Sequence, residues 1–93
     1  MSRIVRRAWG WYFTLLDYKE FKVKLLFFKR GGQLSIQYHN LRNELWLMLS
    51  GTHKGMVLEV PKRDVHTYYA DKRTVVLEIQ YGDKCDEEDI VRI

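Results

Sequence analysis

Apolar and polar residues alternate with a two-residue period in short runs along this chain, a pattern that predicts strands and not helices. The runs fall at residues 11–16, 21–28, 34–39, 45–49, 56–60, 66–69 and 75–81. A single proline and six glycines, most of them between these runs, supply the turn chemistry of an all-β domain. Short strands in this number predict a sandwich or barrel. Only the acidic stretch 86–89 reads as a helical turn, and it is too short to be stable alone. No linker, repeat or low-complexity segment interrupts the pattern, so residues 1–93 read as one domain.

Parity within the runs adds detail. Glu44, Trp46 and Met48 share one face of a strand and Leu45, Leu47 and Leu49 the other, so this strand is apolar on both sides and its outer face needs a cover. A second copy of the chain, making a homodimer, is one expected cover. Packing by the N-terminal segment or the C-terminal tail is the other. In the run 21–28, Lys22 and Lys24 lie on one face and Phe21, Val23 and Leu25 on the other. The lysines read equally as solvated charges outside a core face and as a pair aimed at an anion.

Composition narrows the class. A chain of 93 residues with 46% apolar and 14% aromatic residues has the makings of one modest core. Cys85 stands alone, which excludes an intramolecular disulfide and fits a reducing compartment. No stretch approaches the roughly 20 apolar residues of a membrane span, and the start Met1-Ser2-Arg3 lacks the apolar region of a signal peptide. A soluble, cytoplasmic protein with no membrane partner is expected. The net charge of +4 favours anionic partners, but the cations are spread along the chain. Arg3, Arg6 and Arg7 are the densest basic cluster and read as solvated charge; with no recognition helix, a nucleic-acid partner is not expected. The acidic Asp83, Asp86, Glu87, Glu88 and Asp89 read as a solvated cap rather than a cation site. Trp9, Trp11, Trp46, Tyr68 and Tyr69 read as core or interface aromatics, with sugar stacking open to one of them.

The chemistry lies between Gly31 and Gly51, where Gln37, His39 and Glu44 stand in the order Q-x-H-x4-E. On one strand, Gln37 and His39 point to the same face, and Glu44 returns on the next strand. His66, five residues after Pro61, is a late fourth donor. Nitrogen and oxygen donors converging in a small barrel suit a divalent metal that keeps open positions. Taken singly, His39 reads as a hydrogen-bonded strand histidine and Glu44 as a partner for Arg42 or a lysine. His53 falls in a tight turn and is expected in solvent.

Several segments together resemble one family. They are Arg7-Ala8-Trp9-Gly10-Trp11-Tyr12, Phe21-Lys22-Val23-Lys24, the Gln37/His39/Glu44 run with Arg42 and Trp46, Leu77-Glu78-Ile79-Gln80-Tyr81-Gly82, and Glu88-Asp89-Ile90-Val91-Arg92. In this order they resemble the mannose-6-phosphate isomerase-like cupins, which include the C-terminal isomerase domain of bifunctional mannose-1-phosphate guanylyltransferases. The general cupin pattern G-x5-H-x-H-x4-E-x6-G is matched with Gln37 in place of the first histidine. The second pattern, G-x5-P-x-G-x2-H-x3-N, is matched at Gly55, Pro61 and His66 and departed from at Arg63 and Ala70. Only Thr52-His53-Lys54 separate the two patterns, where such cupins place a further hairpin.

The resemblance implies an all-β fold, a small truncated jelly-roll barrel whose edge is opened by the missing hairpin. It implies a divalent metal on Gln37, His39, Glu44 and His66, with zinc the expected ion and iron, manganese, nickel or cobalt acceptable to the same donors. Lys22, Lys24, Arg42 and Arg92 become an anion clamp for a sugar phosphate. The implied activity is metal-dependent aldose–ketose isomerisation of a sugar phosphate; no general base is assigned. Positions where the family often carries histidine are Asn40, Leu41 and Leu45 here, which thins the shell that orients ligands. The alternatives are a non-catalytic cupin that binds or sequesters a small anion, sugar phosphate or nucleotide, and a dimeric interaction scaffold.

Overall fold

The computed structural model describes residues 4–93 and, among them, contains strands and no helix. Eight strands follow in order: β1 Val5–Arg7, β2 Gly10–Asp17, β3 Phe21–Phe28, β4 Gln37–Tyr38, β5 Arg42–Met48, β6 Val57–Val60, β7 Thr74–Gly82 and β8 Val91–Arg92. Six form an antiparallel sheet in the order β1-β2-β3-β7-β5-β6, and β4 pairs with β8 in a second, two-stranded sheet. Isolated bridges from Gln33 to Tyr69 and from Gln37 to His66 continue the small sheet across the inner face of the large one.

The predicted all-β architecture is present, with local corrections. The run 66–69 forms no ladder strand; it crosses as an extended segment held by single bridges, because its neighbour is also irregular and shrinks from 34–39 to the two residues of β4. The short strands β1 and β8 carry too few residues for periodicity to register. The stretch 86–89 closes one turn, with Asp89 N–H donating to the Asp86 carbonyl, and does not become helical. Its carboxylates are tied down: Asp89 accepts from the backbone N–H of Asn40 and Leu41, and Asp86 pairs with Lys84. Arg3 of the basic cluster lies outside the described residues.

The turn that replaces the missing hairpin behaves as its length requires. Gly51 and Gly55 take φ of +93° and +89°, in the left-handed region that glycine enters without penalty. Met48 and Met56 then pair through their backbones, and β6 becomes the free edge of the large sheet. Gly10 has a different task, since a Cβ there would sit 1.9 Å from the Phe27 carbonyl oxygen, so β2 can lie against β3 only with glycine at that point.

Register aligns the inward residues of β3, β7 and β5 in rows. Leu26, Val76 and Met48 make one row, which joins Phe28, Tyr12, Leu34, Trp46 and Ala70 in the buried core. The next rows change character: Lys24 lies opposite Glu78 and Glu78 opposite Trp46, then Lys22 opposite Gln80 and Gln80 opposite Glu44. One half of the barrel interior is therefore apolar and the other half polar. Burying polar groups is costly unless each is paired, so this half is built as a network.

Candidate functional site

His39 follows β4 and Glu44 lies on β5, and both are 2% exposed. His66 is brought to them by the bridge in which its backbone and that of Gln37 exchange hydrogen bonds of 2.8 and 2.9 Å. The loop before His66 turns at Arg63, a non-glycine residue with φ of +64°, whose N–H donates to the His39 carbonyl. That left-handed position, expected to strain without glycine, is occupied nonetheless, and the bond it makes ties the two histidine segments together.

One ligand atom from each of His39, Glu44 and His66 lies within 4.8 Å of the others. Tautomers favour metal binding. His39 Nδ1–H donates to the Asp89 carbonyl at 2.6 Å and His66 Nδ1–H to the Asp64 carbonyl at 3.0 Å, which makes Nε2 the acceptor nitrogen of each ring. His66 Nε2 is buried with no hydrogen-bond partner among the described residues. Burial first, then the Arg42 charge, lowers the His39 pKa below 6.5 despite the bond to Asp89, so the ring is neutral and can serve as a ligand at pH 7. An orphaned buried nitrogen on His66, a second imidazole on His39 and the Glu44 carboxylate fit a divalent ion.

Arg42 stands at the same centre. Its Nε and Nη2 each approach Glu44 Oε2 at 3.0 Å, Nη2 lies 3.3 Å from His39 Nε2, and Nη1 donates to the Asp86 carbonyl at 2.9 Å. The guanidinium thus supplies positive charge to the donor atoms a metal would use. Glu44 also accepts from Trp46 Nε1 at 3.0 Å and shares a hydrogen bond with Glu78. Burial, then the Glu44 charge and that bond, push Glu78 from 4.5 up to about 8. Gln80 Nε2 donates to Glu78 Oε1 at 2.8 Å, while Gln80 Oε1 is buried with no partner among the described residues.

A cavity of about 680 Å³ opens beside this network. Its wall includes Gln37, Arg42, Glu44 and Glu78, the aromatic rings of Trp9 and Tyr12, and the cations Arg7, Lys24 and Arg92. Four cationic side chains thus face three carboxyls there, Glu44, Glu78 and Glu87. His39 and His66 stand behind Arg42 and Glu44 and are not part of the wall.

Of the expected metal ligands, His39, Glu44 and His66 converge; Gln37 lines the cavity, its carboxamide oxygen accepting from Ser35 at 3.0 Å. Of the expected anion clamp, Lys24, Arg42 and Arg92 reach the cavity and Lys22 does not line it. Both lysines point inward, Lys24 being 4% exposed, which overturns the reading of them as outward charges. Each pairs with Glu87, which the sequence offered only as part of a solvated cap. Glu78, Gln80 and Glu87 were not foreseen in the site. The available signal was parity: Glu78 and Gln80 continue the two-residue series from the buried Val76. His53 is exposed, as expected, with Nδ1 3.3 Å from the Tyr68 hydroxyl.

Comparison with known proteins places this geometry. The family model described as mannose-6-phosphate isomerase C-terminal matches residues 1–93. A mannose-1-phosphate guanylyltransferase from Sinorhizobium fredii is 30% identical over 101 residues, covering 94% of this chain and 20% of its own. The guanylyltransferase RfbM from Salmonella typhimurium is 33% identical over 103 residues, covering 96% of this chain and 22% of its own. The chain thus spans about a fifth of the length of these curated relatives. Among solved structures, a Streptomyces PAC13 variant with uridine superposes with TM-score 0.80 at 12% identity, over 99% of this chain and 84% of that one. Oxalate decarboxylase from Bacillus subtilis superposes with TM-score 0.78 at 12% identity, over 99% of this chain and 30% of that one. A Klebsiella pneumoniae protein described as a double-stranded β-helix domain does so with TM-score 0.76 at 10% identity, over 96% and 78%. At such identities the likeness establishes the cupin fold.

Proposed function

We propose, because this chain belongs to the mannose-6-phosphate isomerase C-terminal family, that its cavity binds a sugar phosphate beside a divalent metal and serves aldose–ketose isomerisation. The observation that carries this reading is a His/Glu donor cluster that reaches the cavity through Glu44, behind a wall that carries the cations Arg7, Lys24, Arg42 and Arg92. A volume of about 680 Å³ is in the range of small-molecule sites.

His39, Glu44 and His66 would hold the ion, with Gln37 as the further donor on the cavity side; zinc suits the set, and iron, manganese, nickel or cobalt also match it. When bound, the ion would polarise a sugar carbonyl or hydroxyl as a Lewis acid. The chain's own residues do the rest. Asp89 and Asp64 fix the histidine tautomers through their carbonyls. Arg92 and Arg7 at the cavity wall attract the phosphate, and Lys24 and Arg42 add to the field from within. Trp9 and Tyr12 offer ring faces to the sugar.

One observation favours binding without turnover as the second reading: Lys24 and Arg42 are already paired with Glu87 and Glu44, so an anion must compete with internal carboxylates. Two measurements decide. Elemental analysis of untagged protein is expected to give about one metal per chain, lost in His39→Ala. The metallated protein is then assayed for conversion of mannose 6-phosphate to fructose 6-phosphate. Turnover supports isomerisation; tight binding without turnover supports sequestration; no metal after reconstitution refutes both metal-dependent readings.

A further inference from the structure

The outward side of the large sheet is the reverse of its polar interior. Register places Phe13, Leu25, Leu77, Leu47 and Val57 in one row across five strands, and Leu16, Val23, Ile79 and Leu45 in the next. Above them Trp11, Phe27 and Val75 make a third row, in which Trp11 stacks on Phe27 with ring centroids 3.8 Å apart. No charged side chain interrupts these rows on the four central strands. Large apolar side chains on this face are left open, Leu16 at 45%, Leu49 at 46% and Val57 at 57% exposure. A hollow of about 330 Å³ at the Trp11, Phe27 and Val75 end gives the face relief.

We propose that a second copy of this chain covers this face, sheet on sheet, in a two-fold dimer. The geometry suits such a pair: sheets with apolar faces stack about 10 Å apart, and two copies of one sheet have the same twist. Area supports it. Four strands about 4.8 Å apart and about 25 Å long give each copy roughly 500 Å², and the short edge strands β1 and β6 raise this to roughly 600 Å². The pair then buries between about 1,000 and 1,200 Å², the range in which specific dimers begin.

Charge at the rim agrees. Arg6 on β1 stands beside Trp11 at one edge of the face, and Glu59 on β6 beside Leu45 at the other. Arg6, Lys29 and Arg73 gather at the Trp11, Phe27 and Val75 end, so a two-fold axis running between the sheets across the strands, which sets that end over the partner's opposite end, keeps these cations apart. The surface involved lies on the side of the sheet away from the cavity, and the dimer stands independently of the metal and of turnover.

Sedimentation equilibrium of the 93-residue chain between about 1 and 200 µM tests this, with and without chelator. The wild type is expected to sediment as a dimer through most of that range. Leu49→Lys and Val57→Lys, at positions open enough to take a charge without disturbing the monomer, are each expected to raise the dissociation constant by more than about tenfold, and together by more than about a hundredfold, with unchanged circular dichroism. A monomeric wild type at 200 µM overturns the proposal, as it would if this face serves another domain or a different protein. A dimer that the double variant leaves intact overturns it equally.

Discussion

Replacing Arg42 with methionine tests whether the guanidinium holds the donor cluster together in the absence of metal. Arg42 is 6% exposed and makes two contacts of 3.0 Å to Glu44, one of 2.9 Å to the Asp86 carbonyl and one of 3.3 Å to His39. Methionine keeps much of the stem and removes every one of these. Glu44 keeps Trp46 and Glu78 as partners but loses its counter-charge in a site 2% exposed. Leaving one member of a buried ion pair uncompensated costs about 3–5 kcal/mol. With a urea m-value near 2 kcal/mol per molar, Arg42→Met is expected to lower the midpoint by about 2 M. The assay is urea unfolding followed by tryptophan fluorescence, once in chelator and once in excess zinc. A divalent ion on His39, Glu44 and His66 would restore positive charge to Glu44, so most of the loss should be recovered in zinc, and the variant should gain more from zinc than the wild type does. A loss under about 1 kcal/mol in chelator would show that the pair contributes no more than a surface salt bridge. Equal losses with and without zinc would refute the idea that guanidinium and metal occupy one electrostatic position.

Arg63→Gly removes a side chain from a left-handed position, φ +64°, while keeping the N–H that bonds the His39 carbonyl. It is expected to stabilise the fold by about 0.5–1 kcal/mol, read as a higher melting temperature; no gain would mean the turn is unstrained. Burial pushes the Glu87 carboxyl up, but the Lys24 charge and hydrogen bond, with Arg42 and Lys22, outweigh it and hold the pKa below 4.5. A folded-state pKa below the unfolded one gives stability that is present above pH 4.5 and lost as pH falls through the lower folded value. Glu87→Gln should therefore flatten the acid limb of stability against pH, and an unchanged limb would exclude the Lys24–Glu87 pair as its source. If two copies share the apolar sheet face, wild-type stability depends on concentration, by about 1.4 kcal/mol per mole of dimer for each tenfold change. A melting temperature independent of concentration would contradict that.

The convergence of His39 and Glu44 was legible because spacing and strand parity decide it together. Gln37 and His39 had to share a face, and the turn before β5 had to return Glu44 to it. His66 was legible as a donor but not as part of a strand, since it reaches the site from an irregular segment pinned by one bridge and by Arg63. The lysines were harder. In β3 the usual rule assigns Phe21, Val23, Leu25 and Phe27 to the core and their polar neighbours to water. The structure does the reverse, with Lys22 and Lys24 inward and the apolar set outward.

That inversion has one physical origin. A barrel that carries a polar cavity turns polar side chains inward along half its length, where each is held by a partner: Lys24 by Glu87, Glu78 by Gln80 and Glu44, Arg42 by Glu44. Strands of such a barrel still need apolar surface to fold, and alternation then leaves it on the outward side, as Phe27, Val75, Leu77 and Leu47 show. Periodicity reports the period and not the sign, so a single strand cannot say which face is the core. The sign is given by the burial of the polar set. Glu78 and Gln80 on β7 match the parity of Lys24 and Lys22 across the register, and Arg42 and Glu44 on β5 match both, so all three strands bring their charges to one side. Facing charges of both signs also pair on a solvated face, so it is the burial of Lys24, Arg42, Glu44 and Glu78 around one cavity that marks the charged side as the interior and leaves the apolar side outward.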